Sequence, residues 1–234
     1  MHEQPPSRPG GNRHRAPPAR GLSGTGLVAD DLYLLGHDEG SGKSQLQPFA
    51  LGTGLAGGLL AELMLVSWIG LRQQDRAVMI TRDAPHDAVR RNALFKRIAD
   101  QPEPQPVGSW LRVLAHSAEQ DVAVRLEEAG YLEHVRGRVP WSQGRWVPVN
   151  RDWAFAPVLR ARAALDPTRQ LTAYSATLVG LTVACGLGFK LSEHQTPTSR
   201  PVPDVVAQLG LALQVLIAQT EAIIENAALS YRTR

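Results

Sequence analysis

Residues 51–71 read LGTGLAGGLLAELMLVSWIGL, and the fold turns on how this run is interpreted. Leu55, Leu59, Leu63 and Val66 recur at the three- and four-residue spacing of one helix face. The residues between them are mostly small or apolar too, so no face suits water. The run is long enough to cross a bilayer, yet Glu62 stands inside it. A mid-span carboxylate costs about 2.5–3.5 kcal/mol on the insertion scale. A helix enclosed by other helices resolves the conflict, with Glu62 as a hydrogen-bonded structural carboxylate. A functional acid is the alternative role for that residue. Residues 171–189 carry no charge but contain three glycines, three threonines, a serine and a tyrosine, which again suits a core better than lipid.

Outward from this run the pattern stays helical. Leu32, Leu34 and Leu35 mark a first apolar element, followed by a charged, Gly-rich loop from His37 to Ser44. A basic helix is expected over 87–99, then a stiff linker in which Pro102, Pro104 and Pro106 alternate. A helical stretch from Trp110 through Leu114, Val122 and Leu126 should stop at Gly130. Over 131–149 the period changes: Val135, Val139 and Trp141 alternate with Arg136, Arg138 and Pro140, and Arg145-Trp146-Val147 follows Gly144. This predicts a β-hairpin with its prolines on edge strands. Helices are expected again over 156–165, 171–189 and 205–231. The fold class is mainly α: a single compact helical domain over 27–234 with one protruding β-hairpin.

Residues 1–26 are different. They hold Arg8, Arg13, Arg15 and Arg20 against Glu3 alone, among five prolines, which leaves 21 basic and 21 acidic residues for the rest. A disordered basic tail on a neutral domain is the expectation. The tail has no apolar signal-peptide core, so a cytoplasmic address is expected.

Catalytic chemistry finds little support. The only cysteine, Cys185, lies in an apolar stretch, and the seven histidines are scattered without a metal-ligand spacing. No catalytic residue, metal or cofactor is assigned. Gly40-Ser41-Gly42-Lys43-Ser44 ends like a phosphate-binding loop, but His37 stands where the motif needs glycine. A charged surface turn is the expected reading.

Asp31-Leu32-Tyr33-Leu34-Leu35-Gly36, the charged loop, and Gly54-Leu55-Ala56-Gly57-Gly58-Leu59-Leu60-Ala61-Glu62-Leu63 together resemble the Golgi phosphoprotein 3 family. Leu126-Glu127-Glu128-Ala129-Gly130-Tyr131-Leu132 ahead of the hairpin, and Asp166-Pro167 ahead of a long apolar helix, are similar to that family as well. The resemblance implies a mainly helical domain whose hairpin touches membranes and mediates self-association. It also implies a shallow basic pocket for phosphatidylinositol 4-phosphate. Eukaryotic members are adaptors that hold glycosyltransferases in the Golgi. With only three lysines among 25 basic residues, the composition has the arginine bias of a GC-rich genome and points to a bacterial member. For such a member only lipid or membrane adaptor function carries over.

The family's pocket tryptophan and arginine correspond to Gln47 and Ala56, and its later arginine pair to His116 and Glu119. Residues 113–124 contain no Arg or Lys, so the pocket reads as degenerate. General anionic-lipid binding, or binding of an as yet unnamed protein, is expected in place of a specific phosphoinositide. The hairpin offers the surface for it: Arg136, Arg138 and Arg145 surround Trp141 and Trp146. Homo-oligomerisation through the hairpin is the companion expectation, with the protein peripheral on the inner face of the membrane. The rival is a winged-helix-like DNA-binding regulator built on 122–149. Against it, Glu119, Asp121, Glu127 and Glu128 outnumber Arg125 on the candidate recognition helix, so nucleic acid is not an expected partner.

Overall fold

The computed structural model describes residues 24–135, 144–192 and 195–232, and in it the 51–71 run divides in two. α1 (Val28–Gly36) precedes the run and is buried along its whole length. α2 (Pro48–Leu65) starts at a proline, whose fixed φ and missing N–H suit a first helical turn. It ends before Ser67, which takes a left-handed φ of 57°. The chain then leaves as β1 (Ile69–Leu71), paired antiparallel with β2 (Val78–Ile80). Asp75 closes their turn by accepting from Arg72 at 2.6 and 2.9 Å and from the Ala77 N–H at 3.1 Å. A second hairpin therefore joins the single one expected. The polar segment 72–76 reverses the chain at the end of an apolar run that had looked like one unit.

Most of the later helices are shorter than their periodicity suggested, and most breaks have a local cause. α3 (Ala88–Arg91) and α4 (Ala93–Ala99) divide 87–99 at Asn92, whose side chain accepts from the Phe95 N–H at 2.9 Å. α5 (Val107–Leu114) and α6 (Ala118–Glu128) divide the stretch ending at Gly130, which stops it at a φ of 80°. β3 (Leu132–Val135) pairs with β4 (Arg145–Pro148) in the one hairpin that was expected. α7 (Arg151–Ala164) begins earlier than expected because Asn150 caps it, accepting from the N–H groups of Asp152 and Trp153. α8 (Ala173–Ala184) opens on a Thr172–Ser175 capping box and stops ahead of Gly186 at a φ of 86°. The 171–189 stretch is thus no single helix, and α9 (Phe189–Ser192) stands apart. α10 (Val202–Ala207) and α11 (Leu211–Arg232) complete the chain.

α2 is the axle of this arrangement and packs on α1, α5, α6, α8 and α11. Its glycines permit the approach. A Cβ on Gly58 would lie 2.8 Å from Ala29 Cα on α1, and one on Gly57 would lie 2.9 Å from the Thr220 hydroxyl on α11. One on Gly54 would overlap the Cys185 sulfur just beyond α8. Among the described residues α2 is the one helix long and apolar enough to cross a membrane, and 67% of it is buried inside the fold.

Candidate functional site

The hairpin β3–β4 is held at its base by the helices on either side of it, α6 and α7. Both are tied to two neighbouring carboxylates of α1. The Arg125 guanidinium of α6 donates to Asp30 at 2.8 Å and to both oxygens of Glu62 at 2.9 and 3.0 Å. Glu62 also accepts from the Ala29 N–H at 2.9 Å. Arg160 of α7 donates to both oxygens of Asp31 at 2.5 and 2.7 Å, and the Tyr174 hydroxyl of α8 adds a third bond at 2.7 Å. Burial pushes the carboxyls of Asp30 and Glu62 above the usual carboxylate range, and Arg125 opposes that shift. Glu62 is thus a hydrogen-bonded carboxylate in a network. Its partners were not legible in the sequence.

Within the hairpin, Trp146 stands opposite His134, with ring centroids 4.9 Å apart. Its indole N–H donates to Glu127 at 3.3 Å, and its backbone carbonyl lies against Gly42 of the 37–44 loop. Trp146 is half-buried, so it seats the hairpin on the domain. Arg145 beside it is exposed, as are Val135 and Val149 at 40% and 50%. Arg136, Arg138 and Trp141 lie outside the described residues, as do residues 1–23 of the tail.

Near the start of α2 a groove of about 970 Å³ is lined by Ser44, Gln47, Phe49, Cys185, Ile224 and Ala227, among others. Among the described residues, none that lines it is an Arg, Lys, Asp or Glu. Gln47 stands exposed at the N-cap of α2. Ala56 is fully enclosed in the core, so the groove does not reach it. His116 and Glu119 also lie outside the groove lining; His116 is exposed, and Glu119 stands 3.6 Å from His37. His37 is itself buried, stacked on Tyr33 and donating from Nδ1 to the Tyr33 carbonyl at 2.7 Å.

A family model described as Golgi phosphoprotein 3 (GPP34) matches residues 28–218. The chain belongs to the Golgi phosphoprotein 3 family. Among curated proteins, none matches it. Membership in the Golgi phosphoprotein 3 family supports a generally non-catalytic role of the lipid-binding or adaptor kind.

Two other readings of this Golgi phosphoprotein 3 domain meet specific obstacles. In the 37–44 loop, the Asp38 carboxylate accepts from the Gly40 N–H at 3.2 Å and from the Ser41 N–H and hydroxyl at 2.7 Å. Those donors are the ones that a phosphate would need. On α6 the basic residue a DNA backbone would call on, Arg125, is already bonded to two carboxylates. Val122, Ala123 and Leu126 bury the same helix in the core.

Proposed function

We infer that this protein is a peripheral membrane adaptor that binds anionic bilayers in general, without preference for a phosphoinositide. One observation carries the reading: no Arg or Lys occupies the four headgroup positions, which hold Gln47, buried Ala56, exposed His116 and a Glu119 close to His37. Phosphate recognition depends on charge-assisted donors, and a carboxylate at such a position repels the ligand.

Bilayer contact is left to the hairpin and the basic N-terminal segment. Arg145, Val135 and Val149 are exposed around the hairpin strands. In sequence the segment between the two strands adds Arg136, Arg138 and Trp141. Tryptophan favours the headgroup level of a bilayer, and each nearby arginine contributes about 1 kcal/mol at an anionic surface. The cytoplasmic face of the membrane is the matching address.

Vesicle co-sedimentation tests this with three compositions: neutral lipid, generic anionic lipid, and anionic lipid doped with phosphatidylinositol 4-phosphate. The wild type should sediment equally with both anionic kinds and little with the neutral one. A Trp141→Ala/Arg145→Glu variant should bind more weakly. Clear enrichment on the doped vesicles would restore the family pocket. Loss of binding to all three would turn the reading toward a protein-binding module.

A further inference from the structure

Around α1 there is more acid than base. Asp30, Asp31 and Glu62 are bonded to Arg125 and Arg160, so three carboxylates share two guanidiniums. Asp31 has the Arg160 fork and the Tyr174 hydroxyl, whereas Asp30 and Glu62 divide Arg125 between them. Asp30 is 1% exposed, and its Oδ2 has no partner at full hydrogen-bond geometry, although the Thr25 hydroxyl is near enough to lower the carboxyl somewhat.

The neighbouring elements do not redress the imbalance. On α1 the adjacent charge is Asp31, another carboxylate. Glu62 borders a groove of about 470 Å³ whose further charged residues are Arg91 of α3, Arg97 of α4, and Asp121 and Arg125 of α6. Arg91 is paired with Asp87 at 2.6 Å. α5 brings the apolar Leu114 to that groove, Cys185 just beyond α8 lies against Gly54 of α2, and α11 brings Thr220 against Gly57. A buried carboxylate without full compensation takes up a proton in preference to remaining charged. Burial raises both carboxyls against the pull of Arg125, with added repulsion from Asp31 on Asp30 and from Asp30 on Glu62. The groove beside Glu62 gives solvent protons a route in.

We propose that the Asp30–Arg125–Glu62 group keeps one proton in the native state, shared between its two carboxyls. Holding that proton makes the fold less stable as pH rises above the ordinary carboxylate range. The sign follows from linkage. The native group binds a proton that the unfolded carboxylates have already released. Its stabilising effect is complete below the ordinary carboxylate range and is lost as pH rises through the raised value. An ordinary paired carboxylate behaves in the opposite way, losing its contribution as pH falls.

The full chain tests this by two routes. The first is urea unfolding from about pH 5 to about pH 8, where release of one proton lowers the folding constant by up to about tenfold per pH unit. Asp30→Asn, which resembles the protonated acid, should keep the wild-type midpoint at the acid end and flatten the slope. The second is ¹³C NMR of the wild-type carboxyls, which needs no variant to fold. One of the Asp30 and Glu62 resonances, or their average, should still report a proton at a pH above the ordinary carboxylate range. Two fully ionised carboxyls at that pH, or an unchanged slope in Asp30→Asn, would overturn the proposal.

Discussion

Asp31 shows how much of this fold rests on single side chains. It is 1% exposed, and its partners Arg160 and Tyr174 lie 129 and 143 residues further along the chain. Replacing Arg160 by Met should leave a buried carboxylate with two hydrogen bonds fewer and lower stability by about 3–5 kcal/mol, read by urea denaturation. Tyr174→Phe removes only the hydroxyl donor and should cost about 1.5–3 kcal/mol in the same assay, the range for hydrogen bonds to charged groups. The ordering is the critical result: equal losses would mean that packing, not charge, dominates at this site. Cys185 makes a separate residue-scale prediction. Burial pushes its thiol up to about 12, so little thiolate exists near neutrality. A thiol reagent should therefore label the native chain only as fast as it unfolds, and rapid labelling would show that the groove beside Cys185 opens. The sequence showed Asp30 and Asp31 as acids at the head of an apolar segment. It could not show their partners, because pairing across such separations leaves no local period.

At the level of elements, the reading of α2 as a buried helix stands for a physical reason: its composition offers no polar face. Its glycines allow a sharper test. Gly58→Val would press a branched side chain into the Ala29 backbone of α1 and should cost at least about 1–3 kcal/mol, the usual range for overpacking. Gly70→Ala in β1 is the control, since its Cβ would meet Thr81 at an ordinary 3.7 Å. Its effect should stay within about 0.5 kcal/mol. Thermal melts of both variants would decide whether the α2 glycines serve close packing or merely tolerate it. Helix interiors were legible because burial imposes a period, whereas helix ends depend on single residues such as Asn92, Asn150 and Gly186. The β1–β2 hairpin was missed on that account, since three-residue strands are too short to show alternation. The candidate site was legible only in part. Sequence placed basic and aromatic residues in one hairpin, but not the packing of Trp146 between His134, Glu127 and the 37–44 loop.

For the whole molecule the governing feature is the separation of charge from fold. Residues 27–234 balance 21 basic against 21 acidic residues, so the net +3 belongs to residues 1–26. If each unit of that charge contributes about 1 kcal/mol at an anionic surface, the segment strengthens binding by about 3 kcal/mol, roughly a hundredfold. Such attraction is long-ranged and salt-sensitive, because the screening length falls from about 10 Å at 0.1 M salt to about 3 Å at 1 M. The proposed hairpin contact through tryptophan and valine would be short-ranged and should survive that change. Vesicle binding by the whole chain should therefore fall steeply with salt to a residual level. A chain lacking residues 1–26 should start near that level and change little. If both chains lost binding in parallel, the arginines of the hairpin, rather than those of the N-terminal segment, would carry the electrostatic attraction.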